Sequence, residues 1–188
     1  MSKLWSGRDD AGKQIPSPPG SSLRLELHFR NGGPSISGMN HTALEDKLGY
    51  RFNNPDLLVQ ALTHPSTDSK PETRRAYERL EFLGDAILQL AVTQYLYHHM
   101  PQSPEGELTQ LRARTVSRAN LGKYGFILGL DKHIALGKGE ERAGGRSKNS
   151  IIANTFESVF GAMSLDSNYE TAKAVALRVL HEACLLYT

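Results

Sequence analysis

Three carboxylates fall within eight residues of the run Glu78-Arg79-Leu80-Glu81-Phe82-Leu83-Gly84-Asp85-Ala86-Ile87-Leu88. If the run is helical, Glu78, Glu81 and Asp85 lie within roughly 60° of one another, because positions i, i+3 and i+7 share a face. Leu80, Leu83, Ile87 and Leu90 fall on the opposite side at the same period and are expected to face a core. Like charges so spaced cost about 0.2–0.5 kcal/mol per pair when exposed, and more when desolvated. A hard divalent ion such as Mg²⁺, which takes oxygen ligands, would relieve that repulsion. Taken alone, the three acids leave two readings open: a cation site, or a solvated acidic stripe. Asn154 and Glu157 are three apart, so on a helix they share a face that could meet the Glu81/Asp85 face across a helix pair.

The elements that must carry these groups read as helices. Residues 1–38 differ from the rest: Ser17-Pro18-Pro19-Gly20-Ser21-Ser22 and Asn31-Gly32-Gly33-Pro34 are breaker-rich, and the alternating run 23–29 is strand-like with nothing to pair with. They are expected to form an N-terminal extension without fixed structure or catalytic role, followed by one domain over residues 39–188. Thr42 is expected to cap a first helix bearing Leu44 and Leu48, and Pro55 to open a second bearing Leu57, Leu58 and Ala61. The polar run 67–73 reads as a loop. The acidic helix continues to about Tyr97, and Pro101 and Pro104 break the chain before a fourth helix over 107–119. Residues 122–136 read as two short helical pieces separated by Gly129, and 137–149 as a glycine- and charge-rich loop. Helices over 150–165 and 169–186 complete an all-α fold, with strand signals nearly absent.

With 188 residues, 39% of them apolar and 22% charged, the chain can bury one good core. A net charge of +2 confines any nucleic-acid-binding patch to a local surface. The lone Cys184 excludes an internal disulfide, and no Cys/His cluster suggests zinc; adjacent His98 and His99 diverge on a helix and read as surface groups. No apolar run approaches the ~18 residues of a membrane span. No membrane partner is expected, and a reducing, cytoplasmic setting is.

The acidic run, with its order of acids, glycine and apolar residues, closely resembles the signature of the ribonuclease III family of double-stranded-RNA endonucleases. The resemblance extends over about 145 residues through three further blocks: Leu57-Leu58 with Ala61-Leu62-Thr63-His64, Glu105-Gly106-Glu107-Leu108 with Leu111-Arg112-Ala113, and, after the glycine loop, Ile151-Ile152-Ala153-Asn154-Thr155-Phe156-Glu157-Ser158. It implies the ribonuclease III endonuclease-domain helical fold as a homodimer, with Asp85 and Glu157 catalytic and Glu81, Asp85, Asn154 and Glu157 holding Mg²⁺, for which Mn²⁺ can substitute. It implies that Glu78 and Glu105 are accessory acids near the dimer interface and RNA backbone. Phe82 matches the family's apolar side chain inserted into the partner, with Leu83 flanking it; core packing would explain both equally well. The expected reaction is metal-assisted hydrolysis of duplex RNA in rRNA and mRNA processing, leaving 5′-phosphate and 3′-hydroxyl ends with short 3′ overhangs from two active sites.

One position departs from the family pattern. Asn154 stands where the family usually has Asp; it keeps a carbonyl oxygen able to coordinate Mg²⁺ but lacks the negative charge. A catalytically weakened ribonuclease III-fold RNA-binding or structural module is therefore the alternative reading. A di-iron bundle is excluded, since the Glu-x-x-His pairs it needs are missing. The expected RNA contacts are Arg112 and, in the glycine loop that the resemblance places near the substrate, Lys138, Arg142, Arg146 and Lys148, A-form duplex being read mostly through backbone and 2′-hydroxyls; the alternative is an ordinary charged surface diluted by Glu140 and Glu141. Asp131 and Asp166 read as caps or solvated charges, and His64 as a structural group before Pro65. The double-stranded-RNA-binding domain that usually follows in the family is not expected within this chain.

Overall fold

The computed structural model describes residues 41–67 and 70–185, and among them the chain is helical: α1 (Thr42–Leu48), α2 (Pro55–Leu62), α3 (Pro71–His99), α4 (Glu105–Thr115), α5 (Arg118–Leu128), α6 (Leu130–His133), α7 (Lys138–Arg142), α8 (Asn149–Asp166) and α9 (Tyr169–Leu185). Short 3-10 turns lie at Pro65–Thr67 and Gly145–Ser147. The one β-type pairing among the described residues is the isolated bridge Thr63–Ala135, so the all-α expectation is met. The expected extension over residues 1–38, with its strand-like run 23–29, lies outside the described residues. No described helix is long and apolar enough to cross a membrane.

The core is built around α8, which packs against α2, α3, α5 and α9. From Ile151 to Met163 every residue of α8 is buried except Asn154 and Glu157. A helix apolar all round must be enclosed on all sides, and here Phe156, Val159 and Phe160 are completely buried. Each such side chain contributes about 1.5–3 kcal/mol of burial.

Two glycines bring the backbones of α3 and α8 into contact. A Cβ on Gly84 would lie 1.8 Å from the Glu157 carbonyl oxygen, and one on Gly161 would lie 2.1 Å from that of Leu80. No side chain fits between the helices there. One turn further along the crossing, buried Tyr77 meets Thr155 at 3.0 Å. Thr155 donates its only hydroxyl hydrogen to the Ile151 carbonyl at 2.8 Å, so Tyr77 is the donor of the inter-helix bond.

That crossing also corrects the expected face of α3. Its buried stripe is Tyr77, Leu80, Gly84, Ile87, Leu88, Ala91 and Val92, while Leu83 only packs at the core's edge and Leu90 is 47% exposed. The glycine needed at the crossing, rather than the leucine spacing, sets the rotation of the helix. Boundaries differ too: α3 begins at Pro71, inside the expected loop 67–73, and the fourth helix begins at Glu105 rather than Glu107. His41, not Thr42, precedes α1, its carbonyl accepting from the Leu44 and Glu45 amides. The fourth helix ends at Thr115, because the Ser117 hydroxyl caps a new one by accepting from the Asn120 amide. The loop over 137–149 contains α7 and a 3-10 turn, knitted by its own charges as described below. Gly129 does separate α5 from α6, in the left-handed conformation at φ 82° that glycine adopts without strain.

Candidate active site

Asn154 and Glu157 open on the side of α8 that faces α3, and the Gly84–Gly161 crossing brings Glu81 and Asp85 to meet them. The Asn154 side chain hydrogen-bonds Glu81, and Glu157 feels the charges of both Asp85 and Glu81. Burial, then the neighbouring Asp85 and Glu81 carboxylates, push Glu157 up to about 7. Burial also raises Glu81; Arg118 opposes it, Glu78 adds to it, Asn154 opposes it by hydrogen bonding, and Asp85 adds to it.

Arg118 is therefore the cation of this group, acting on both Glu81 and Glu157. It opens α5, and the Asn149 side chain at the start of α8 holds its carbonyl at 2.8 Å. In the sequence it reads only as one of several arginines near position 114, because nothing local ties α5 to the acids. The sequence reading likewise passes over Gln89, which donates to both carboxylate oxygens of Asp85, at 3.0 and 2.9 Å. The i+4 spacing from Asp85 is the signal that could have found it.

The remaining expected site residues lie further out. Glu78 is exposed and pairs with Arg74 at 2.7 Å. Glu105 opens α4, accepts from Thr109 at 2.7 Å, and is absent from the charges that act on Glu81 and Glu157. Phe82 stands in solvent, 80% exposed, whereas Leu83 packs against the protein's own core. Arg112 is half-buried and donates to Thr93 at 3.3 Å.

The four loop cations separate into two kinds. Arg146 grips Glu141 with two bonds of 2.9 and 2.6 Å and donates to the carbonyls of Asp131 and Ile134. Lys148 pairs with Glu140 at 2.6 Å. These two are committed to the loop's own fold, which the Gly137 amide ties to the Ser66 hydroxyl at 3.0 Å. Lys138 and Arg142 are exposed and make no ion pair among the described residues. His64 is structural, its ring meeting the Ser66 hydroxyl at 2.9 Å and Tyr77 edge-on. Asp166 holds the start of α2, accepting from the Asn53 and Asn54 amides at 2.8 Å each.

The donor set suits a hard cation: three carboxylates and an amide oxygen, which the single guanidinium of Arg118 cannot neutralise. The unfavourable ionisation of Glu157 is a strain that a bound cation would relieve. The geometry is more open than the chemistry. Among the described residues no three His, Cys, Asp or Glu side chains are drawn closely enough together to enclose a metal ion.

A family model described as Ribonuclease-III-like matches residues 54–183. The Ribonuclease 3 of Carboxydothermus hydrogenoformans is 44% identical over 145 residues, 76% of this chain and 62% of that protein. That of Syntrophotalea carbinolica is 44% identical over 134 residues, 70% of this chain and 58% of its own. The solved nuclease domain of ribonuclease III from Campylobacter jejuni, described for structural flexibility in a region involved in dimer formation, superposes with a TM-score of 0.73 at 40% identity. The match covers 77% of this chain and 98% of that one. Dicer from Pichia stipitis gives a TM-score of 0.53 at 25% identity, over 72% of this chain and 57% of its own. The chain spans 62% or less of the length of these two curated relatives.

Proposed function

Because the chain belongs to the ribonuclease III family, we propose that it is an endoribonuclease hydrolysing phosphodiester bonds of double-stranded RNA with a divalent cation, Mg²⁺ or in its place Mn²⁺. The observation that carries this reading is the pair of openings on α8: Asn154 and Glu157 are the only partly exposed positions between Ile151 and Met163, and they face the acids of α3. An enclosed helix gains nothing for its packing from a carboxylate there. Glu81, Asp85, Asn154 and Glu157 would hold the ion, with Asp85 and Glu157 catalytic. The chemistry a bound divalent ion supplies is a water of lowered pKa and charge stabilisation at the leaving 3′ oxygen. Arg118 offsets the charge of Glu81 and Glu157 and limits their repulsion. Glu78 and Glu105 are accessory acids at the rim.

The products in this reading carry 5′-phosphate and 3′-hydroxyl ends with short 3′ overhangs, from two sites in a homodimer that each cut one strand, in rRNA and mRNA processing. Phe82 is the proposed dimer anchor, since so exposed an aromatic ring gains most by entering a partner's pocket; Leu83 would support it from below. The cytoplasm is the proposed setting. Incubation of the protein with a long RNA duplex and Mg²⁺ tests the proposal, with Asp85→Asn as control. Metal-dependent fragments from the parent alone support it; intact duplex at every Mg²⁺ and Mn²⁺ concentration overturns it.

Asn154 is the specific observation behind a second reading, an RNA-binding module with weakened catalysis. Asn154→Asp adds a fourth carboxylate where Glu81 now receives a hydrogen bond. The variant is expected to reach half-maximal cleavage at roughly a tenth of the parent's Mg²⁺ concentration, on the scale of 1–2 kcal/mol per added charged ligand. Identical Mg²⁺ titrations for the two proteins would remove Asn154 from the ligand set.

For RNA binding, the free and committed loop cations should behave differently. Joint replacement of Lys138 and Arg142 by alanine is expected to flatten the slope of log affinity against log salt by about two, one for each phosphate no longer neutralised. Arg146→Ala instead frees the carbonyls of Asp131 and Ile134, so its first effect is on melting temperature. Filter binding in Ca²⁺ across a salt series, paired with thermal melts, separates the two.

A further inference from the structure

The Asp85 carboxylate has both oxygens occupied by one neighbour, the Gln89 amide nitrogen at 3.0 and 2.9 Å. The two oxygens of one carboxylate lie too close together for the diverging hydrogens of one amide nitrogen to take one each, so a single N–H is shared by both in a bifurcated bond. The two residues are one helical turn apart on α3, so the contact draws the carboxylate along that helix. This accounts for an otherwise odd pair of facts. Glu157 feels the charges of Asp85 and Glu81, and Glu81 that of Asp85, yet no three acids are drawn together around an ion among the described residues. A cation approaching Asp85 meets the positive edge of an N–H group already seated on the oxygens it needs.

We propose that Gln89 is a positioning residue that sets the cation threshold of this site: it latches Asp85 along α3 in the cation-free protein, and an ion is taken up only as that shared bond is released. The proposal rests on reading the acids as a divalent-cation site. Gln89 is exposed, so its replacement does not disturb the core. Its backbone carbonyl is separately held by the Thr93 hydroxyl at 2.7 Å, leaving the side chain as the part that acts on Asp85. The cost of breaking the latch is that of one exposed, bifurcated hydrogen bond, which corresponds to a roughly threefold change in affinity.

Binding of Mn²⁺ to the RNA-free protein, followed by calorimetry and by the electron paramagnetic resonance of unbound Mn²⁺, measures the effect without reference to cleavage. Gln89→Met keeps the length and helix preference while removing the donor, and Gln89→Ala removes the side chain. Both are expected to bind Mn²⁺ about threefold more tightly than the parent, with unchanged melting temperature in chelator. Asp85→Asn is expected to bind at least about tenfold more weakly. If Asp85→Asn weakens binding but both Gln89 variants bind like the parent, or more weakly, the latch is wrong and the site reading stands. If Asp85→Asn binds Mn²⁺ like the parent, the site reading itself fails.

Discussion

Gly84→Ala is expected to lower the melting temperature by about 6–12 °C and to cut metal-dependent cleavage of duplex RNA well beyond what the stability loss explains. The added methyl would stand 1.8 Å from the Glu157 carbonyl oxygen and 2.5 Å from its carbonyl carbon. Both are backbone atoms of an enclosed helix, so neither can swing aside. α3 and α8 must separate, and because backbone is the obstacle the cost lies at the upper end for an overpacked core site, about 3 kcal/mol. For a domain of this size each kcal/mol is worth about 2–4 °C. Separation also widens the gap between Glu81 and Asp85 on one helix and Asn154 and Glu157 on the other, which is the origin of the expected fall in cleavage. Gly161→Ala, with its methyl 2.1 Å from the Leu80 carbonyl oxygen, should reproduce the effect. Gly106→Ala is the control: it lies within α4 with nothing inside 4 Å, and should be stabilising by about 0.5–1 kcal/mol through helix propensity. Thermal melts in which Gly84→Ala and Gly106→Ala match would show that the two helices do not touch at Gly84.

Glu157→Gln should divide activity from stability. Cleavage is expected to fall by at least about a hundredfold, since even outer partners of a metal site are worth 10–100-fold. Stability of the cation-free protein should instead rise at pH 8. Glu157 in the folded protein titrates at about 7 against an ordinary 4.5, so the folded state holds this proton more tightly than the unfolded chain. As pH rises from about 4.5 to 7 the unfolded chain releases its proton first, and stability falls; above about 7 the penalty is fully present. The full shift corresponds to about 3 kcal/mol, and solvent at this partly open position reduces it to about 1–2 kcal/mol. Glutamine removes that penalty, so the variant's denaturant midpoint should change less between pH 5 and pH 8. Added Mg²⁺ should stabilise the parent at pH 8 but hardly the variant, because only an ion that prefers the folded state shifts the midpoint. A parent whose stability rises steadily from pH 5 to pH 8 would contradict the burial of this carboxylate.

The helical fold and the run of acids were legible in the sequence because both rest on local spacing. Pro55 and Asn54 mark the start of α2, Gly129 the break between α5 and α6, and the three-residue step from Asn154 to Glu157 a shared face. What could not be read depends on groups far apart in the chain. Leucine spacing alone turns α3 toward Leu83 and Leu90, whereas the Gly84–Gly161 crossing turns it toward Leu88 and Ala91. Arg118 joins the acids only because α5 packs on α8. Arg146 donates to the carbonyls of Asp131 and Ile134, fifteen and twelve residues back, ties that the loop's own sequence does not announce. In each case a tertiary neighbour decides between roles that local pattern leaves equal.

The exposure pattern of α8 also bears on how such a chain can change. Eleven of the thirteen residues from Ile151 to Met163 are enclosed, so most mutations along this stretch disrupt packing and are removed by selection for folding. Drift is tolerated at two addresses, 154 and 157, and those are the addresses of the proposed chemistry. A lineage could therefore retune its dependence on a cofactor, or shed reactivity altogether, by single codon changes that leave the scaffold's melting point intact or higher.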